Sequence, residues 1–312
     1  MATQGKIAAL DVDQPEEDVR RLNHIQRALY RLSKDYLTLI ALSVLIFMVV
    51  ASFGARWYGP WVGIDPVAEN LQKIYAAPDA ENILGTDDKG RDHLSRLLYG
   101  GQVSLGIAFS AAILSLTIGV SLGMLTGYYG GIVDDLMIWF ITTLNSIPAL
   151  FLLLILSSVF RDIQLFGMRD SSVLVFTAIL GFIGWTGTMR LVRGETLAIR
   201  EREYIIAARA MGASDLRIMF LHILPNLVSI VIVTLAIDIG VLILIESGLS
   251  FLGFGINPPT PTWGNMLTEA QAFFRKAPHL VFGPGIMITI TVLCLYIIGD
   301  GMRDALDPTI SD

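Results

Sequence analysis

The sequence predicts an all-α integral membrane protein whose helices form a six-span bundle, and three observations carry that expectation. Apolar residues fill 54% of the 312 positions and charged residues 16%, with a mean hydropathy of +0.63, far from the balance of a soluble domain. The apolar residues are bunched into six stretches, at 36–55, 102–128, 136–160, 173–189, 227–250 and 281–299. About 20 helical residues rising about 1.5 Å each cross a bilayer core of about 30 Å, so each stretch is of spanning size. The stretches are continuous rather than alternating, which excludes a β-barrel, and backbone polar groups in lipid then demand helix.

Residues 1–35 carry six Lys/Arg and six Asp/Glu, too long and too acidic for the basic start of a secretory signal. The first span, 36–55, therefore reads as an uncleaved signal anchor, and the polar stretch 1–17 as disordered. Six spans put both termini on one side. With that side taken as cytoplasmic, the inner segments hold 13 Lys/Arg and the outer ones 9, in the direction of the positive-inside rule. The outer loops 56–101 and 251–280 are too short and too rich in Gly and Pro to bury a core of their own. The net charge of −6 lies in the loops, and there is no basic stripe for nucleic acid. Cys294 is the single cysteine, which excludes an internal disulfide and a cysteine-built metal site.

Before span two, Gly85 and Gly90 have the spacing of a phosphate-binding loop, but Arg91 and Asp92 follow where Lys and Ser or Thr are needed. ATP binding by this chain is excluded on that ground. Asp87 and Asp92 are placed to pair with Arg91 or Arg96; direct substrate contact is the other reading. In span two, Gly119, Gly123 and Gly127 line one face and serve as a helix contact or as a hinge. In span three, Pro148 after Asn145-Ser146 predicts a kink.

Between spans four and five, residues 190–226 have the clearest local grammar. Glu203 to Met211 is mostly helix-forming, Gly212 is placed to stop the helix in the left-handed conformation, and Ser214 to cap the next one. Leu216, Met219, Phe220 and Ile223 then recur at i, i+3, i+4 and i+7 as an apolar stripe, and Pro225 is expected to end or kink the helix. A helix lying on the membrane surface and one docking in a partner's groove both fit this pattern. The paired Ala207 and Ala208 suggest close backbone packing.

Span five carries Asp238 and Glu246. An ionised group in lipid costs about 2.5–3.5 kcal/mol, so both should face protein or water. They project about 80° apart around the helix, close enough to share a cavity. Three readings stay open: structural hydrogen bonds, substrate contact, or the proton relay of a secondary transporter. Ser250 stands in G-x-S-x-x-G rather than the nucleophile elbow, and no histidine lies in an apolar run, so a hydrolase is excluded. In the outer segment 253–267, Pro258, Pro259 and Pro261 stop the helix and stiffen the loop, while Phe254 and Trp263 form an interfacial belt or meet a partner.

The residues Ala207-Ala208, Gly212 and Leu224-Pro225 reproduce the spacing of the EAA loop in permease subunits of binding-protein-dependent ABC importers. Glu203 to Ser214 resembles the oligopeptide and dipeptide permease branch, with Ile206 before the alanines and His222 at a usually aliphatic position as departures. Residues 84–100 and 248–267 resemble the C-type subunit of that branch, and the likeness runs from Tyr36 to the C-terminus. The resemblance implies the type I importer permease fold with a cytoplasmic coupling helix, and no catalysis or cofactor in this chain, ATP and Mg being bound by partner subunits. It also implies a homologous second permease subunit, two ATPase subunits, an extracytoplasmic binding protein, and residence in the inner membrane of a prokaryote. Carried onto this sequence, ATPase coupling falls to Glu203, Ala207, Ala208, Gly212, Ser214, Leu216, Met219, Phe220, Leu224 and Pro225. Asn145, Asp238 and Glu246 are the candidates for polar groups of the translocation path or of the bundle, and Phe254, Pro258, Pro261 and Trp263 for the binding-protein side.

Overall fold

The computed structural model describes residues 24–62, 65–160, 171–271 and 274–306, and these are mostly helical, the main exceptions being the segments 65–92 and 252–262. In chain order the helices are α1 (His24–Lys34), α2 (Tyr36–Val62), α3 (His93–Tyr129), α4 (Gly131–Leu144), α5 (Ala149–Val159), α6 (Ser171–Arg200) and α7 (Glu203–Ala210). They continue with α8 (Asp215–Ile218), a π-helical turn (Met219–Ile223), α9 (Leu224–Phe251), α10 (Trp263–Gln271) and α11 (His279–Leu306). Among the described residues the β content is one isolated bridge, Thr86 to Asp92. The stretch 1–17 lies outside the described residues.

Among the described residues five helices are long and apolar enough to cross a membrane, and the count reaches six when α4 and α5, bent by 80° at residues 145–148, form one broken span. Pro148 causes the break. It disfavours helix at Ile147, and it stands outside α5 at φ −56°, ψ 124°. Helix α3 starts nine residues before the apolar stretch at 102, because Asp92 caps it by accepting from Ser95 N at 2.7 Å and Ser95 Oγ at 2.6 Å. Helix α6 runs on to Arg200, drawing polar residues of the expected loop into helix.

The α3–α6 pair is the most extensive packing in the bundle. A Cβ added at Gly119 would lie 2.8 Å from Thr188 Cβ, at Gly123 2.7 Å from the Met189 carbonyl, and at Gly127 2.7 Å from Thr196 Cβ. The glycine row is therefore a close helix contact rather than a hinge, as small residues let backbones approach. Of the five clusters of buried apolar side chains among the described residues, two are the largest. One joins Leu97, Leu105, Trp263, Ile288 and Leu295 at the end carrying residues 84–97; the other joins Tyr128, Ile205, Ile218, Met219 and Ile223 at the opposite end. The outward faces of the spans are apolar too, with Phe47, Ile132, Phe182 and Phe282 exposed, as expected of surfaces meeting lipid or a partner.

Candidate functional site

Helix α7 stops as its residues dictate. Gly212 adopts φ +84°, Gly212 N donates to Arg209 O at 3.0 Å and Ala213 N to Ala208 O at 3.1 Å, the two bonds of a Schellman motif. No atom lies within 4 Å of an added Cβ there, so the dihedral alone calls for glycine. Ser214 stands at the N-cap of α8 in extended geometry but makes no side-chain capping bond. The alanine pair divides: Ala208 is buried and Ala207 faces out.

The expected stripe does not hold together. Met219 and Ile223 are buried beside Ile218, while Leu216 and Phe220 are exposed. The reason is the π turn at Met219–Ile223, which takes one more residue per turn and rotates the faces on either side of it. The same turn corrects the expectation for Pro225. A proline ring clashes with the carbonyl four residues back in a regular α-helix, and the wider turn makes room for it. The helix accordingly runs unbroken from Asp215 to Phe251. Ile206, Met211, Leu216, Phe220 and Leu221 are left as exposed apolar side chains, Met211 at 83%, among the exposed Arg202, Arg209 and Arg217. Leu224 is half-buried, and Glu203 and Pro225 are exposed.

The intramembrane polar groups fall into two sets. Asp238, half-buried, accepts from Thr188 Oγ1 of α6 at 3.1 Å. Asn145, exposed at the break between α4 and α5, accepts from Thr186 Oγ1 at 3.4 Å. Both therefore lean on one stretch of α6. Glu246 belongs elsewhere. It is 0% exposed and accepts from Ser104 Oγ at 3.0 Å, Ser250 Oγ at 2.8 Å and Ser247 Oγ at 3.4 Å. Ser104 Oγ in turn accepts the Trp263 N–H at 3.1 Å. Glu246 thus ties α3, α9 and α10 together, which is the structural hydrogen-bonding reading of this acid. A relay between the two acids has no geometric support, because they bond to different helices.

At the same end, Asp87 is buried against two guanidinium groups. Its Oδ2 receives Arg91 Nε at 2.7 Å and Arg96 Nη1, and its Oδ1 receives the Lys89 and Arg91 N–H groups, each at 2.9 Å. Burial pushes this carboxyl up, but the Arg91 N–H, the Arg96 guanidinium and the remaining donors outweigh it and hold it below the ordinary carboxylate range. Asp92 takes no part in that cluster, its carboxylate being spent on the α3 cap.

Trp263 requires the second correction. It is 0% exposed, with Nε1 donating to the Leu97 carbonyl at 3.0 Å, and its ring lies on Gly101, where an added Cβ would come within 2.8 Å of Cζ2. Its indole is a buried anchor and not a belt or partner-facing group. Pro261 is buried beside it, while Phe254 and Pro258 are exposed. Asn265, which the sequence reading did not single out, holds the loop by donating to Ile256 O at 3.0 Å and Thr260 O at 2.9 Å and accepting from Thr262 N at 2.9 Å. Also unforeseen were Thr188, Ser104, and the ion pair of Arg193 with Asp134 joining α6 to α4. Single polar residues in apolar stretches were the available signal, but it names no partner.

The family model of the binding-protein-dependent transport system inner membrane component matches residues 119–312. The chain is 36% identical over 285 residues to the oligopeptide transport system permease protein OppC of Haemophilus influenzae, covering 91% of this chain and 88% of that protein. It is 35% identical to the glutathione transport system permease protein GsiD of Pectobacterium atrosepticum, covering 89% of each. It is also 35% identical to the dipeptide transport system permease protein DppC of Alkalihalophilus pseudofirmus, covering 94% of this chain and 93% of that one.

Proposed function

The chain belongs to the binding-protein-dependent inner membrane components and is the non-catalytic permease subunit of an ABC importer, ATP being hydrolysed by partner subunits; on that premise we propose that it forms half of a path for peptides and related small solutes. A homologous second permease subunit supplies the other half within the lipid of a prokaryotic inner membrane. Both termini and the 203–223 segment face the cytoplasm, where two ATPase subunits holding ATP and Mg dock. A binding protein delivers solute at the 84–97 end, where Phe254 and Pro258 are the exposed groups of the loop.

One observation carries the coupling reading. The 203–223 segment buries Ile205, Ala208, Ile218, Met219 and Ile223 in the bundle and leaves Ile206, Met211, Leu216 and Phe220 exposed around a left-handed glycine turn. An apolar surface of this kind, ringed by arginines, suits a groove on a partner protein. Asp238 with Thr188 and Asn145 with Thr186 are the proposed polar lining of the path. The relatives named for oligopeptide, dipeptide and glutathione transport support a peptide-sized solute.

Reconstitution with both ATPases, the second permease and the binding protein tests the reading. Uptake of labelled dialanine, trialanine or glutathione is expected to require ATP and to survive collapse of the proton gradient at constant ATP. Uptake abolished by an uncoupler with ATP maintained would overturn it.

A further inference from the structure

We infer that Tyr128 is a positioning residue which latches the 203–223 segment to the end of α3, so that movement of that segment reaches the α3–α6 pair. The inference rests on the coupling role proposed above. Tyr128 lies in the last turn of α3 and is buried, and its hydroxyl donates to Asp215 Oδ1 at 2.7 Å. Asp215 is the first residue of α8, immediately after the glycine turn. The Arg209 guanidinium of α7 lies 5.4 Å from the Tyr128 ring centroid, a cation–π contact. Arg200, which ends α6, donates from Nη1 to the carbonyls of Gly127 at 3.1 Å and Tyr128 at 3.2 Å. One residue thus gathers the ends of three elements, α6, α7 and α8.

The hydroxyl supplies the side-chain hydrogen bond from this segment to α3. Helices α7 and α8 meet at a left-handed glycine with open space around it, so the turn does not itself carry force into the spans. Beyond Tyr128, the glycine row locks α3 onto α6 at Thr196, Met189 and Thr188, and the Thr188 hydroxyl holds Asp238. Helix α8 continues unbroken into α9, which carries Asp238, so a displacement of α8 moves α9 directly, and the Asp215–Tyr128 bond passes the same displacement to α3 and, along the sealed pair, to the Thr188 hydroxyl on the other side of Asp238. Contiguity alone does not establish coupling, so the measurement must be of coupling itself.

The test uses the complete transporter in proteoliposomes and reads solute moved per ATP hydrolysed, with whichever of labelled dialanine, trialanine or glutathione the unaltered assembly accumulates. Tyr128→Phe keeps the ring and the Arg209 contact and removes the hydroxyl. The expected result is an unchanged complement of bound ATPase subunits and a roughly tenfold fall in solute per ATP, the scale of one charge-assisted hydrogen bond. Asp215→Ala should show the same fall, and the double variant no more than either single one, because both remove one interaction. Normal solute per ATP in Tyr128→Phe, or additive losses in the double variant, would overturn the latch. So would a Tyr128→Phe chain that fails to reach the membrane while Asp215→Ala inserts and couples normally. Failure of the underlying coupling reading shows separately: ATPase subunits that stay bound to a Met211→Glu/Phe220→Glu chain would remove the docking surface, whatever Tyr128 does.

Discussion

At the end of the bundle built from residues 84–97 and 253–267, the large and charged groups turn inward. Trp263 is enclosed, Glu246 is wrapped by serine hydroxyls, and Asp87 is held between Arg91 and Arg96. At the opposite end the 203–223 segment rests on a small core and one side-chain bond from α3, and turns Met211, Leu216 and Phe220 outward. Both regions are glycine-containing connections between spans, so composition does not separate them. What separates them is where their polar groups find partners. Buried polar groups are as a rule bonded, and a loop whose carboxylate, indole and amide groups bond inside the bundle is fastened there. The 203–223 segment instead keeps large apolar side chains exposed, Met211 and Leu216 foremost.

The sharpest way to break this contrast is Trp263→Ala, which removes the plug of the sealed end. Loss of a buried Trp costs about 3–5 kcal/mol, and the Leu97 carbonyl loses its donor. Basal and binding-protein-stimulated ATP hydrolysis should fall together with the amount of folded chain recovered from the membrane. A selective loss of stimulation would instead return Trp263 to the partner-facing role.

At the open end the expected effect is smaller. Gly212→Val forces a β-branched residue into the left-handed region, at a cost of about 1–2 kcal/mol, but meets no neighbouring atom. Insertion and thermal stability should stay close to those of the unaltered chain while solute transport falls. Equal loss of both would show this turn to be as much a part of the sealed fold as Trp263.

The smallest effect is a pH dependence confined to the sealed end. Asp87 is held below its ordinary range, so its contribution is fully present above about pH 4, the unperturbed value, and is lost as the pH falls through the depressed one. Thermal unfolding of the purified permease should therefore steepen in its acid dependence below about pH 4, and Asp87→Asn should flatten that part of the curve. An unchanged acid limb would mean that Asp87 is not ionised in the folded chain.

Several features were legible because they are decided by neighbours in the chain. The spans follow from length and apolarity, the break at Pro148 from a missing N–H and a fixed φ, and the turn at Gly212 from a dihedral that other residues avoid. The cap on α3 was not read from Asp92, since the same carboxylate competes for Arg91 and Arg96, and only the folded loop decides which it meets. The stripe at Leu216, Met219, Phe220 and Ile223 failed because regular α periodicity was assumed across a π turn.

By itself the sequence determined a helical membrane bundle, its apolar spans, the break at Pro148 and the family grammar of the 203–226 segment, all of which rest on interactions within a few residues or on transfer from water. Tertiary structure alone decided that Glu246 meets Ser104, 142 positions away, that Trp263 meets Leu97, 166 away, and that Tyr128 meets Asp215, 87 away. A hydrogen bond acts over about 3 Å, and nothing in the order of the residues brings those atoms that close until the helices have packed.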